Sequence, residues 1–275
     1  MPLMQTAMGP LYYEEVGQGR PLLIAHGGPG VHHGLYRTLD PLGTTNRLVY
    51  WDHRGHGRSG PLPAGSLDMQ LFADDAIRLA DTLGLESFAL FGHSFGGWVA
   101  QELALRHPDR VSALVLAATT PGQIGATESA DDDQGPPPPA EVVDLMSRRP
   151  TTAVELGQIY AALAPHFLRG ADPGPFLAAL EPELLSPESM LRVFDALATW
   201  SSVDRLHQVR CPTLVLAGQH DVFCSPPQLV RIASRIPGAR HVVFEHSGHF
   251  MWLEEPDRFF GLVSDWLSRS ATTAR

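Results

Sequence analysis

The segment Gly92-His93-Ser94-Phe95-Gly96-Gly97 places a serine between two glycines spaced two residues to either side. The apolar run Phe88–Phe91 before it reads as a strand, and Val99, Leu103 and Leu105, ahead of His107-Pro108, read as a helix. A serine on so sharp a strand-to-helix turn is forced toward positive φ, a strained conformation. Side chains at positions 92 and 96 would collide there, which is the physical reason for glycine at both. The turn lifts the Ser94 hydroxyl above the sheet edge. It also leaves backbone N–H groups at the helix start, where developing negative charge is favoured. Such a serine is a candidate nucleophile, and the rest of the chain must then supply a base, an acidic partner and oxyanion donors.

Two later strands end in polar residues. The strand 212–217 runs into Gly218-Gln219-His220-Asp221, and the strand 241–244 is followed by Glu245-His246-Ser247-Gly248-His249. Both present side chains at the carboxyl edge where open α/β sheets bind ligands. The order Ser94, Asp221, His249 suits a triad in which Ser94 attacks, His249 carries the proton and Asp221 orients the imidazole. His220 and His246 are rivals for the base, and Asp195 and Asp204 for the acid. His249 is preferred because Ser-Gly-His-Phe just after a strand can return the ring over the sheet. Upstream, His26-Gly27-Gly28-Pro29-Gly30 ends another strand, and glycines there let the backbone approach a ligand. Gly28 N–H and Phe95 N–H are the candidate oxyanion donors. No Lys-Ser or Lys-Thr follows the loop, so it is not a phosphate cradle. Asp52-His53-Arg54-Gly55-His56-Gly57-Arg58-Ser59 invites a metal reading, but no carboxylate stands at helical ligand spacing. It reads as a structural crossover loop pinned by Arg54 and Asp52, and His93 as a packing or locally hydrogen-bonded residue.

The elements that must position these groups follow from periodicity. Strands are expected at 4–8, 11–16 and 21–25, the first two forming an antiparallel start. Asn46–Trp51, the serine strand and Val111–Ala117 then alternate with helices, one of them over 67–83 with Gly84 as its stop. That alternation implies a mostly parallel sheet. At Thr119-Thr120-Pro121 the composition changes. Residues 121–140, with Asp131-Asp132-Asp133 and Pro136-Pro137-Pro138-Pro139, read as a loop, and 141–205 as short helices broken by prolines 150, 165, 173, 175, 182 and 187. The expected organisation is a core over 1–120 and 206–275, with an inserted helical cap over 121–205 that shapes the pocket while the core does the chemistry.

Composition narrows the partners. The 275 residues carry 20 basic and 30 acidic side chains, a net charge of −10 that argues against nucleic acid or an anionic membrane. The start, Met1-Pro2-Leu3-Met4-Gln5, has neither the basic nor the apolar stretch of a secretory signal. Cys211 and Cys224 are expected as free core thiols of a cytoplasmic protein, and no C-x-x-C suggests zinc or redox chemistry. A small-molecule substrate, no cofactor, no metal and a monomer or homodimer complete the expectation.

Taken in order, the His26–Gly30 loop, the Asp52–Ser59 loop, the Gly92–Gly97 turn, the Asp221 loop and Gly248-His249 resemble the α/β-hydrolase superfamily over essentially the whole chain. His-Gly-Gly-Pro-Gly is similar to the proline iminopeptidase branch, whereas Gly-His-Ser-Phe-Gly-Gly is more like esterases, lactonases and cofactor-free perhydrolases. The iminopeptidase branch usually has Gln where His53 stands, and it holds the substrate's amine with cap glutamates, one near a Trp-Glu pair. Here Thr199-Trp200-Ser201-Ser202 has no such pair, and the cap's acids are Glu181, Glu183 and Glu188. The resemblance implies an eight-stranded α/β-hydrolase fold and a serine hydrolase acting on a small ester, lactone or amide. An aminopeptidase releasing N-terminal residues is the alternative, and a catalytically silent receptor the third reading. Gly27, Phe167, Phe176 and Trp200 are the candidate substrate contacts, with Leu180, Met190 and Phe194 as further apolar cap residues.

Overall fold

A computed structural model of the chain describes residues 2–122 and 135–270. Its eight strands form one sheet in the order β1-β2-β4-β3-β5-β6-β7-β8. β1 (Leu3–Met4) and β2 (Leu11–Val16) pair antiparallel, and β2 lies antiparallel to β4. β3 (Arg20–Ala25), β4 (Asn46–Trp51), β5 (Phe88–His93), β6 (Val111–Ala117), β7 (Thr213–Gly218) and β8 (Arg240–Phe244) run parallel. The central strands are near-continuous apolar runs because helices cover both faces; Leu22, Leu23, Ile24, Leu90, Phe91, Leu114, Val115 and Leu116 are wholly buried.

α1 (Gln70–Thr82) packs on α2 (Phe95–Arg106), and a 3₁₀ turn, Val203–Gln208, bridges α2 to α7 (Pro226–Arg235). α9 (Pro256–Ser270) packs on a second 3₁₀ segment, His33–Thr44, and on β6. Between β6 and β7 lie α3 (Ala140–Ser147), α4 (Ala153–Phe167), α5 (Gly174–Ala178), the 3₁₀ turn Pro182–Leu184 and α6 (Pro187–Leu197). α4 begins on a capping box, in which Thr152 and Glu155 satisfy each other's backbone N–H. α8 (Met251–Glu254) is a single turn after the His249 loop.

Several boundaries differ from the sequence expectation. β1 ends at Met4, because Thr6–Gly9 closes a turn through Gly9 N–H to the Thr6 carbonyl (3.1 Å) and the Thr6 hydroxyl to the Gly9 carbonyl (2.6 Å). α1 starts only at Gln70, whose N–H is taken by the Asp68 carboxylate at 2.9 Å, and stops before Gly84 at φ +67°. Pro165 does not break α4. It stands in the last turn, where the one intrahelical bond it forgoes is at the helix end, so the helix continues to Phe167. The expected loop over 121–140, with its acidic triplet, lies mostly outside the described residues. Both cysteines are free and buried. Among the described residues no helix is long and apolar enough to cross a membrane.

Candidate active site

Ser94 joins β5 to α2 at φ 52°, ψ −120°, the strained turn expected from its neighbours. Its N–H donates to the Ala117 carbonyl on β6 (3.1 Å), and its carbonyl accepts from Gly97 N–H and the Thr119 hydroxyl, both at 2.9 Å. A Cβ on Gly92 would stand 2.5 Å from that of Ala100, and one on Gly96 would run into the Ala25 carbonyl. Both glycines are therefore demanded by close approach of α2 to β3 and β5.

Asp221 and His249 meet at the ends of β7 and β8. Asp221 Oδ2 lies 2.8 Å from His249 Nδ1, with both residues buried. Oδ1 accepts the N–H groups of Phe223 (2.8 Å) and Cys224 (3.0 Å), so the carboxylate caps its own turn and orients the imidazole at once. Neither rival does this. His246 is exposed, with its N–H donating to Glu255 (3.0 Å), and half-buried His220 is held by its N–H to the Ser247 carbonyl (2.9 Å).

The His26–Gly30 loop runs beside the serine turn. Gly28 and Gly30 take φ +77° and +83°, a region that favours glycine. Gly27 N–H donates to Tyr36 Oη at 2.6 Å. Among the described residues, Gly28 N–H and Phe95 N–H have no protein acceptor, which leaves both for a ligand. A Cβ on Gly27 would lie 2.8 Å from the Ser94 Cβ, so the loop is in van der Waals contact with the turn.

Helix α4 reaches both loops. Tyr160 donates its hydroxyl to the Pro29 carbonyl (2.8 Å), and the Phe167 carbonyl accepts His249 N–H (2.8 Å). Glu254 adds a bridge by accepting from Gly248 N–H (2.7 Å) and from Arg169 N–H. Burial pushes the Glu254 carboxyl up, against these backbone donors. The insertion thus supplies hydrogen bonds to two of the loops concerned. α5 is held less firmly. Among the described residues, one hydrogen bond ties 170–181 to the 26–44 region, from His32 Nε2 to the Ala179 carbonyl (2.9 Å).

Ser94, His249, Gly27 and Gly28 open into an apolar cavity, which Phe167, Phe176, Leu180 and Phe194 cover from the insertion. Two expected contacts are absent. Trp200 turns away, because its indole N–H donates to the buried Glu102 carboxylate (3.0 Å), which Arg205 also holds at 2.9 Å. Met190 is packed into the core against Gly30. The cavity gains Tyr36, Trp98, Phe223 and Phe250, none singled out from sequence. Trp98 stands one helical turn after Ser94, and Phe223 and Phe250 closely follow Asp221 and His249, so proximity to the candidate triad was the available signal. Among the described residues the lining contains no Asp, Glu, Lys or Arg; Glu181, Glu183 and Glu188 are exposed on the insertion.

Asp221, Cys224 and His249 bring three potential metal donors within 4.8 Å. Two of them already satisfy each other, and burial together with the Asp221 charge pushes the Cys224 thiol up, so it is held protonated. The Asp52–Ser59 loop is pinned by Arg54 and Asp52, as read. Arg54 forks onto Asp75 at 2.7 and 3.0 Å and reaches the Met8 carbonyl at 2.6 Å. Asp52 accepts from His33 Nδ1 (2.6 Å) and Arg58 N–H (2.9 Å); burial would raise its pKa, but the His33 contacts win and hold it low.

A family model described as alpha/beta hydrolase fold matches residues 20–256. A 2-hydroxymuconate semialdehyde hydrolase of Pseudomonas sp. (strain CF600) is 31% identical over 268 residues, covering 94% of this chain and 90% of that protein. A proline iminopeptidase of Pestalotiopsis fici is 25% identical over 247 residues, covering 86% and 88%. Among solved structures, an esterase from Exiguobacterium antarcticum matches with a TM-score of 0.80 at 25% identity, over 97% of this chain and 98% of that one. With its eight-stranded sheet and a serine turn of this geometry, the chain belongs to the alpha/beta hydrolase fold family and is a hydrolase.

Proposed function

We propose that this hydrolase cleaves a small, neutral, apolar ester or lactone through an acyl-enzyme on Ser94. Ser94 Oγ attacks the carbonyl carbon while His249 Nε2 takes its proton, and Gly28 N–H and Phe95 N–H receive the developing oxyanion. Asp221, bonded to Nδ1, keeps the tautomer that can accept and stabilises the imidazolium. The C–O bond breaks, His249 returns the proton to the alkoxide, and the alcohol leaves. Water then attacks the acyl-enzyme with His249 again as base, releasing the acid and restoring Ser94. Every step uses groups of this chain.

The observation that carries the substrate reading is the uncharged lining. A free ammonium in a desolvated pocket needs fixed carboxylates, since an unpaired buried charge costs several kcal/mol. The described lining offers none, whereas its aromatic and aliphatic side chains suit an apolar acyl or alkoxy group. The test has two arms. A fluorophosphonate is expected to label Ser94, and Ser94→Ala to lose at least ~10³-fold in kcat. Undiminished turnover in that variant overturns the mechanism, and an unlabelled, inactive protein favours the receptor reading. In the second arm, acetylating the nitrogen of a prolyl arylamide is expected to leave its turnover nearly unchanged. A loss of ~10²-fold, about 2.7 kcal/mol, would reveal an ammonium site and make aminopeptidase action the better account.

A further inference from the structure

We propose that His93 is a positioning residue that fixes the backbone of His249 and couples it, through Tyr36, to the Gly27-Gly28 loop. The inference rests on the reading of Ser94, His249 and Gly28 given above. His93 Nε2 lies 2.8 Å from the His249 carbonyl oxygen. A carbonyl only accepts, so Nε2 carries the hydrogen, and in a neutral imidazole Nδ1 must then be the acceptor. Tyr36 Oη stands 2.6 Å from that Nδ1 and therefore donates to it. The lone pairs of the same hydroxyl receive Gly27 N–H at 2.6 Å. The bonds thus run one way, from Gly27 N–H to Tyr36, from Tyr36 to His93, and from His93 to His249.

Its surroundings keep the chain in that direction. Burial holds the His93 imidazole uncharged, well below its ordinary pKa, with proximity to His249 acting the same way. Burial also raises the Tyr36 phenol, so its hydrogen stays on. The His93 ring is wedged 4.6 Å from that of His249 and 4.9 Å from that of Trp252, centroid to centroid. His249 is then fixed at three points: Nδ1 by Asp221, N–H by the Phe167 carbonyl and C=O by His93. Because His93 is covalently next to Ser94, one imidazole sets the spacing of the candidate nucleophile, the base and the loop bearing an oxyanion donor. A shift of ~1 Å among such groups is enough to cost ~10²-fold in rate.

The wild-type protein is first tested for fluorophosphonate labelling of Ser94 and for turnover of p-nitrophenyl acetate. Failure there removes the hydrolase reading itself, before His93 is tested. His93→Phe, His93→Gln, Tyr36→Phe and the double variant Tyr36→Phe/His93→Phe are then compared, with folding checked by near-UV circular dichroism and thermal melting. His93→Phe is expected to lower kcat by ~10²-fold with KM within about threefold. His93→Gln, which keeps an N–H donor, is expected to recover about tenfold of that loss. Tyr36→Phe is expected to lower kcat about tenfold, and the double variant to be no worse than His93→Phe alone, since both lie in one chain. A folded His93→Phe with kcat within threefold of wild type overturns the proposal, as do equal losses in the Phe and Gln variants or multiplying losses in the double variant. If His93→Phe does not fold, Tyr36→Phe decides: a reduced kcat at constant KM supports the chain, and an unchanged one overturns it.

Discussion

Asp221 shows how much a single carboxylate is asked to do. One oxygen is saturated by two backbone N–H groups, so only the other remains for His249. Asp221→Asn keeps the size but offers an amide N–H to Nδ1, which drives the hydrogen to Nε2, where it blocks acceptance from Ser94. Steady-state kinetics are expected to show a kcat loss of ~10³- to 10⁴-fold, while His246→Ala stays near wild type. Ser94, Asp221 and His249 could be picked out of the sequence as candidates because each sits where local geometry restricts the residue type: a glycine-flanked turn, or a polar residue just past an apolar strand. His93 and Trp200 were not. Their partners, His249 and Glu102, lie 156 and 98 residues away, and no local pattern encodes such a meeting. The same blindness placed Trp200 in the pocket when a buried carboxylate had already claimed its indole.

At the scale of elements, the strands were the readable part, since both-sided burial leaves unbroken apolar runs; β4 and β6 begin and end where the sequence put them. The 3₁₀ segment His33–Thr44 left no such trace, with Pro41 inside it and its packing made mainly on β4, with α5, α8 and α9 adding to it. The loop after β4 was readable only in outline. Its anchor is the wholly buried Arg54–Asp75 pair, which ties α1 to the loop and, through the Met8 carbonyl and the Thr6 hydroxyl, to the turn after β1. Asp75→Asn removes one charge and leaves Arg54 buried without a counter-ion, a change that costs about 3–5 kcal/mol. A urea titration is expected to show a midpoint lowered accordingly, and a midpoint shifted by less than ~1 kcal/mol would mean that water reaches the pair.

For the molecule as a whole, the buried histidines set the response to acid. Burial lowers the pKa of His26, His53 and His93 well below the ordinary value and that of His56 to about 4. In the unfolded chain each takes a proton near pH 6.5. Below that pH the unfolded state binds more protons than the folded one, so stability falls as pH falls, and His56 goes on contributing down to about pH 4. Each such group removes up to about 1.4 kcal/mol per pH unit, and four together rival a typical net stability of ~5–15 kcal/mol within a few units. Urea midpoints are expected to drop steeply between pH 7 and 5, and His56→Gln to flatten that slope. A midpoint constant over this range would show that these imidazoles take up protons in the folded state.

The unequal attachment of the covering helices separates two events in the turnover cycle. α4 is bonded to the Pro29 loop from Tyr160 at its middle and to His249 from Phe167 at its last residue, so swinging it away would dismantle the site. α6 is fixed as well, through Ser189 to the Gly55 carbonyl and Ser186 N–H to the Gly30 carbonyl. Among the described residues, the α5 segment is tied to the 26–44 region only beyond the helix end, by His32 to the Ala179 carbonyl and, at 3.8 Å, to the exposed Glu181 carboxylate, and yet α5 contributes Phe176 to the cavity wall. Traffic into and out of the cavity is therefore expected past α5, with hydrogen exchange faster in 171–181 than in α4. Faster exchange in α4 would reverse the assignment. With the door and the doorframe on different helices, substitutions in α5 are expected to alter how long a product lingers more than how fast the bond is cut, and those in α4 to do the opposite.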